Sequence, residues 1–442
     1  MTCVKARDRH TLLYYKYRDG KSGEAQEKAE RQIQCHSLCS SAFFSYLCTS
    51  MKARIKTILL FIFVFCLGAQ AQMHRYSVNF NVSEKDFVDT IPIRFIDDQI
   101  YIEVEMANGD KRLFNFDTGS SQGMVYYEGR IDTNDELGNI VSKDANGRKD
   151  TVKVIRIPEF KMGSITIANY VATVINQPHG RRNYDAILGF DLLNKGLLCK
   201  IDVRNRRMIL TDRKHFFKQE GGYEVRYKLR WFVPHVWISP FIRHVDEILF
   251  DTGTRQFYSM NKQSFDKHAF KSHQVNDQVE GRSRGHLSIG NYGAEEVDEV
   301  VFLKLDRLKW GEFAFNNVSS LTTQGGSRLG AAMLNYGSLI INPLKKRMLF
   351  QPYNDADTCE VRNKQFDMAF VPVDGKAAVG LIRDTCDEYK QGMRQGDIIL
   401  RINDDDIPDF QSFVHYPFVE GETYTFILLD QKGFKKTVKS IR

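Results

Sequence analysis

The 442-residue chain carries 62 Lys+Arg against 55 Asp+Glu, a formal charge of +7, and is long enough for two or three domains. Its basic excess is concentrated at one end: 11 basic and 5 acidic residues fall in positions 1–71, leaving 51 against 50. A remainder of formal charge +1 has no basic stripe of the kind that binds nucleic acid.

Residues 1–50 show no sustained periodicity and read as a leader outside the mature protein. Met51 opens a secretory signal, residues 51–71. Lys52, Arg54 and Lys56 form its basic region, 58–67 is an unbroken apolar run, and Ala69-Gln70-Ala71 supplies small residues for cleavage before Gln72. The apolar run is short for a membrane span. An exported protein is expected, in the periplasm, at the cell envelope or secreted. Cys199, Cys359 and Cys386 are the cysteines left after cleavage. They make no disulfide framework, although Cys359 and Cys386 are a candidate pair, and no Cys/His spacing suggests zinc.

From about residue 85 short runs alternate apolar and polar, as in Ile100-Tyr101-Ile102-Glu103-Val104-Glu105. Such runs are strands, and Asn108-Gly109 is a hairpin turn that delivers the next strand into Phe116-Asp117. Three blocks then occur twice, in one order. Phe116-Asp117-Thr118-Gly119-Ser120 is answered by Phe250-Asp251-Thr252-Gly253-Thr254. The run from Phe160 through Gly163 to Asn169 is answered by the run from Leu308 through Gly311 to Asn317. Ile187-Leu188-Gly189-Phe190 is answered by Arg328-Leu329-Gly330-Ala331. A duplicated β lobe is expected, with copies over 85–215 and 216–353. Related by a pseudo-twofold, the copies would bring Asp117 and Asp251 together within one chain, which needs no second copy.

Two carboxylates in contact cannot both ionise. They share a proton, so one serves as acid and the other as base toward a water held between them. Thr118 and Thr252 offer hydroxyls to the opposite loop, Gly119 and Gly253 let the backbone turn sharply, and Ser120 and Thr254 offer further hydroxyls to the carboxylates. This chemistry requires no metal or cofactor. Hairpins over 138–157, turning at Asp144-Ala145-Asn146-Gly147, and over 279–297 are candidate flaps across the cleft. Gly281-Arg282-Ser283-Arg284-Gly285 matches a hydrolase elbow in letters but lacks its strand-to-helix setting.

The paired Asp-Thr-Gly strings and the apolar-apolar-Gly strand Ile187-Leu188-Gly189 resemble those of the pepsin/retropepsin superfamily, most closely bacterial aspartyl proteases of retropepsin type. The resemblance covers roughly 85–353. It implies a mainly β, bilobal acid-protease fold and an aspartic endopeptidase acting on peptides or unfolded proteins through Asp117 and Asp251. It also implies ψ-shaped support beneath each loop from Ile187, Leu188 and Gly189 and from Leu329 and Gly330. Arg328 departs from the pattern by standing where an apolar residue belongs, which favours an alternative, a catalytically silent peptide-binding scaffold. Residues 392–403 resemble the Gly-Leu-x-x-Gly-Asp signature of PDZ domains. That likeness implies a small α+β domain over 360–442, with Val379, Gly380, Leu381 and Ile382 capturing a peptide C-terminus as an added strand.

The signal predicts a mature N-terminus at Gln72, to be read by N-terminal sequencing of the protein recovered from the producing cell. A start within 1–50 would contradict it.

Overall fold

Alternation of apolar and polar side chains becomes strand structure from the first block onward. Val88–Ile96 buries every second residue over most of its length, Gln99–Met106 does so from Ile102 onward, and Asn108-Gly109 turns the chain into Lys111–Phe116. In that turn the Gly109 amide donates to the Met106 carbonyl at 2.8 Å and Gly109 takes φ +83°, which glycine adopts without a Cβ penalty. The computed structural model describes residues 79–127, 129–132, 134–175 and 184–442. The expected leader and signal therefore lie outside the described residues.

The protein is mainly β, with barrel-like sheets. One set of strands lies within residues 81–188 and another within 223–360. A third set joins strands distant in sequence. Leu198–Asp202 pairs with Gly337–Asn342, Arg207–Thr211 with Val88–Ile96, and Tyr223–Arg230 with Arg347–Pro352, all antiparallel. These pairings continue one hydrophobic cluster from Phe80 to Val361 across the expected boundary near residue 215. The described residues accordingly form one compact unit.

The repeated blocks adopt matching local geometry. Phe160–Met162 pairs with Ile165–Ala168 through Met162 opposite Ile165, and Trp310 stands opposite Phe313 in the same way. Left-handed backbone recurs at matched positions: Gly163 and Gly311 (φ +62° and +58°), Asn169 and Asn317 (+61° and +58°), Arg206 and Lys346 (both +51°). These are the turn positions of the two strand–turn–strand segments and of the basic turns that follow. Val279–Gly285 is a strand paired with Asp298–Trp310, so its Gly-x-Ser-x-Gly is no elbow.

The last residues build a separate six-stranded sheet. It includes Met368–Val373, Lys376–Ile382, Ile398–Ile402, Thr423–Leu429 and Lys435–Ile441, together with the single-turn helices Asp387–Lys390 and Phe410–Val414. Met393, Ile399, Phe426, Leu428 and Val438 fill its core. Cys359 and Cys386 are both free, as is buried Cys199, so the candidate disulfide is absent among the described residues. No described helix is long and apolar enough to cross a membrane.

Beside the first Asp loop, fully buried Asp191 accepts from the Tyr170 hydroxyl at 2.7 Å and the Leu192 amide at 3.0 Å. The Tyr170 oxygen in turn accepts from the Gly189 amide at 3.1 Å. Burial pushes the Asp191 carboxyl well above the ordinary carboxyl range, against the opposing pull of these hydrogen bonds. A raised carboxyl binds its proton more tightly in the folded state. Its contribution to stability is therefore full below the ordinary value of 3.8 and declines as pH rises toward the raised one. In urea unfolding, Asp191→Asn should flatten the fall in stability from pH 4 upward. An unchanged slope would contradict this.

Candidate active site

The two Asp-Thr-Gly loops meet. Lys111–Phe116 delivers Asp117, and His244–Asp251 ends on Asp251. Each loop rests on a parallel strand. Ala186–Leu188 pairs with Lys111–Phe116 through Leu188 opposite Phe116, and Arg328–Gly330 pairs with His244–Asp251 through Gly330 opposite Asp251. The backbone support that Arg328 was expected to interrupt is therefore in regular register, because a strand's hydrogen bonds do not depend on which side chain it carries. Gly189 and Gly330 are required by crowding. A Cβ there would lie 2.7 Å from the Gln122 carbonyl oxygen and 2.1 Å from that of Gln256, respectively.

The threonines clasp the loops reciprocally. Thr118 Oγ1 donates to the Phe250 carbonyl at 2.7 Å and accepts from the Thr252 amide at 3.0 Å. Thr252 Oγ1 donates to the Phe116 carbonyl at 2.6 Å and accepts from the Thr118 amide at 2.9 Å. Both threonines are fully buried, so four backbone groups depend on two hydroxyls.

Above the clasp lie the carboxylates. The Gly119 amide donates to Asp117 Oδ1 at 2.8 Å and the Gly253 amide to Asp251 Oδ1 at 3.0 Å. Each carboxyl also packs over the other loop's glycine: a Cβ on Gly119 would sit 2.5 Å from Asp251 Cγ, and one on Gly253 2.5 Å from Asp117 Cγ. The two carboxyls are thereby brought side by side, and Asp117 is raised to about 8, first by burial and then by the charge of Asp251. Two carboxyls so placed titrate as a pair.

Two expected details differ. Ser120 Oγ donates to the Gln122 carbonyl at 2.7 Å, while its amide is the group that faces Asp117. A hydroxyl one bond from a tight turn satisfies the nearest carbonyl first. Thr254 closes its turn through its amide, 3.2 Å from the Asp251 carbonyl oxygen.

The hairpin of Glu136–Lys143 and Lys149–Arg156 carries its tip to this site, as a flap would. Asp144 Oδ1 caps the turn by accepting from the Asn146 and Arg148 amides at 3.0 and 2.9 Å. The Ala145 carbonyl accepts from Arg328 Nη2 at 2.5 Å, and Arg328 Nε lies 3.6 Å from Asp251 Oδ2. The tip also meets the second candidate flap: Asp144 Oδ2 accepts from the Tyr292 amide at 3.0 Å, and Asn146 Oδ1 accepts from Ser288 Oγ at 3.0 Å. Beside the dyad a cleft of about 1010 Å³ runs over Gly253 and Thr254, between Tyr101, Tyr184, Tyr258 and Leu287.

No protein-family model matches the chain, and no curated protein does. Among solved structures, basic 7S globulin from soybean is similar over 60% of this chain and 94% of its own, at 9% identity and a TM-score of 0.39. A likeness at that level carries no argument. The expected membership of the bacterial retropepsin-type aspartyl proteases with a C-terminal PDZ domain is thus overturned. The chain is not assigned to that family. The motifs that carried the resemblance are loops and turns of a few residues, which fix local geometry without fixing ancestry.

The expected peptide-capturing residues Val379, Gly380, Leu381 and Ile382 are all buried. Their strand pairs with Met368–Val373, and the edge beyond is taken by the chain itself. The His286 amide donates to the Gly380 carbonyl at 2.8 Å, and Ser283 Oγ donates to that of Ile382. Leu287 packs with Ala369 and Leu381. An open groove at this edge is therefore corrected to an occupied one.

Sequence reading missed Gln99. Its side chain, nearly buried, donates to the Gly253 carbonyl at 2.9 Å and accepts from the Tyr101 hydroxyl at 2.9 Å, so the first half positions the second Asp loop. Alternation marked Gln99 only as a strand residue. A polar side chain opening a strand is common enough to give no signal.

The clasp predicts the cost of its removal. Thr118→Val or Thr252→Val leaves one buried carbonyl and one buried amide without partners and should cost about 2–4 kcal/mol in urea unfolding. The double variant should lose less than the sum, because both act on one network. Losses under about 0.5 kcal/mol would contradict the clasp.

Proposed function

We propose that the protein is an aspartic-type endopeptidase whose dyad, Asp117 and Asp251, activates water for attack on a peptide carbonyl. The observation that carries this reading is the pair of carboxyls brought together at the clasp, each held by the amide of its own glycine and packed over the other's. Such a pair offers acid and base at once from two side chains. The carboxylate takes a proton from water as the new C–O bond forms, while the protonated partner gives its proton to the carbonyl oxygen. Collapse of the tetrahedral adduct breaks the C–N bond: the amine nitrogen takes the proton held by the first carboxyl, and one adduct hydroxyl returns its proton to the second as the C=O bond re-forms. No charge leaves the site, and the dyad ends with one proton, as it began.

The finer architecture belongs to the same proposal. The paired blocks, the matched left-handed positions and the parallel strand beneath each Asp loop support a bilobal, acid-protease-like arrangement of two duplicated lobes. A small α+β domain, PDZ-like in its strand–turn signature, follows it. One chain supplies both carboxylates, which supports a monomer. The cleft beside the dyad and the hairpin over it suit an extended peptide or unfolded segment, and the secretory signal supports an exported enzyme. One observation favours a second reading, a peptide-binding scaffold without turnover: Arg328 pairs with Asp251 and holds the hairpin tip closed.

The test is digestion of an unfolded protein by wild type, Asp117→Asn and Asp251→Asn. Each substitution should lower the rate by at least about a thousandfold, since both carboxyls are needed in every step. Binding without cleavage by wild type would favour the scaffold, and equal residual activity in all three would sink the dyad. A second outcome follows from the raised carboxyl. The active dyad holds one proton, so kcat/KM should fall as pH rises through about 8, where that proton is lost. A rate still rising above pH 9 would contradict this.

A further inference from the structure

Arg328 occupies the place in the second half that Ile187 occupies in the first, on the strand beneath an Asp loop. An apolar side chain would serve the packing there as Ile187 does. Instead a guanidinium, 18% exposed, reaches two groups that no other residue links. Nε lies 3.6 Å from Asp251 Oδ2, and Nη2 donates to the Ala145 carbonyl at the tip of the first half's hairpin. Gly325 leaves room for this reach, since a Cβ there would stand 3.0 Å from the Ala145 oxygen and 3.2 Å from Arg328 Nη2.

We propose that Arg328 is a positioning residue of the dyad: it holds the negative charge on Asp251, leaves the shared proton on Asp117, and clasps the hairpin tip. Closing the cleft and fixing the charge of the dyad then become one event. The proposal rests on the dyad reading above. The guanidinium suits both tasks because its planar fork offers separate donors in fixed directions, which an ammonium does not. It is also always charged, so its influence does not lapse across the working pH range.

The other charged groups near this contact are already engaged. The Asp144 carboxylate accepts from the backbone amides of Asn146, Arg148 and Tyr292. Buried Glu295 accepts from Thr323 Oγ1 and the Gln324 amide. Asp98 is bonded to Asn335, Arg255 points to Gln99, and the Tyr258 hydroxyl donates to Asp246. Among the described residues, the cation paired with either carboxyl of the dyad is Arg328.

The sign of the effect follows. A cation beside Asp251 makes loss of the dyad's last proton easier, so its removal should keep the active, singly protonated dyad to higher pH. In Arg328→Met the alkaline limb of kcat/KM should move up by about one pH unit, the low end for an opposite charge at this range. KM should rise about fivefold through loss of the hairpin bond. Arg328→Lys should keep the limb near its wild-type position while KM still rises, because one ammonium cannot serve both partners. An alkaline limb unmoved in Arg328→Met, with only KM or stability altered, would overturn the proposal.

A second measurement does not need turnover. In urea unfolding at pH 7, Arg328→Met should lower the midpoint more in the wild-type background than in Asp251→Asn, where only the hairpin bond is lost. Equal shifts in both backgrounds would overturn the charge pairing. A wild type without activity but with this coupling intact would sink the peptidase reading and still support Arg328 as the residue that places the charge.

Discussion

Everything in this molecule that bears on chemistry depends on two carboxyl groups held in contact. Burial first, and then the charge of Asp251, disfavour ionisation of Asp117 and push it up to about 8. Holding like groups together is unfavourable on its own account, and the surroundings offset it. Two glycine amides stabilise the charge that remains, and glycine's missing side chain gives each carboxyl room over the opposite loop. Below them, two buried hydroxyls tie four backbone groups of the loops into one piece. Loosening that clasp would let the carboxyls part and ionise independently.

Much of this was legible in the sequence because it rests on backbone geometry and small motifs. Asp117 and Asp251 could be paired before any coordinates, since their blocks recur in one order. Gly163 and Gly311, and Asn169 and Asn317, recur in step in the two copies, and the structure gives each of them left-handed backbone. What stayed hidden depends on where long side chains end. Ser120 was expected to reach a carboxylate and instead satisfies the Gln122 carbonyl. Gln99 supports the opposite loop from a strand where nothing distinguishes it. Arg328 read as a defect in the support strand, yet the strand pairs regularly and the side chain turns toward the dyad. Family membership inferred from the same short motifs did not hold, and the proposed chemistry rests on the geometry alone.

The C-terminal sheet shows the same limit. Its signature of glycines and apolar residues foretold the strands, but whether an edge is free is a property of the assembled chain. Here the segment through Ser283 and His286 lies along the edge at Gly380 and Ile382. A few residues on, Ser288 and Tyr292 hold the hairpin tip, whose Ala145 carbonyl meets Arg328. Contacts thus run without a gap from the terminal sheet to the dyad, which gives the hairpin a fixed seat rather than a free swing.

The claim beneath all of this is that the two carboxyls share one proton, and it can be counted. Potentiometric titration of the folded protein from pH 6.5 to 9.5 should release about one more proton per chain from wild type than from the Asp117→Asn/Asp251→Asn double variant. Equal release would mean that both carboxyls were already ionised at pH 6.5 and stood apart, and the account would be wrong.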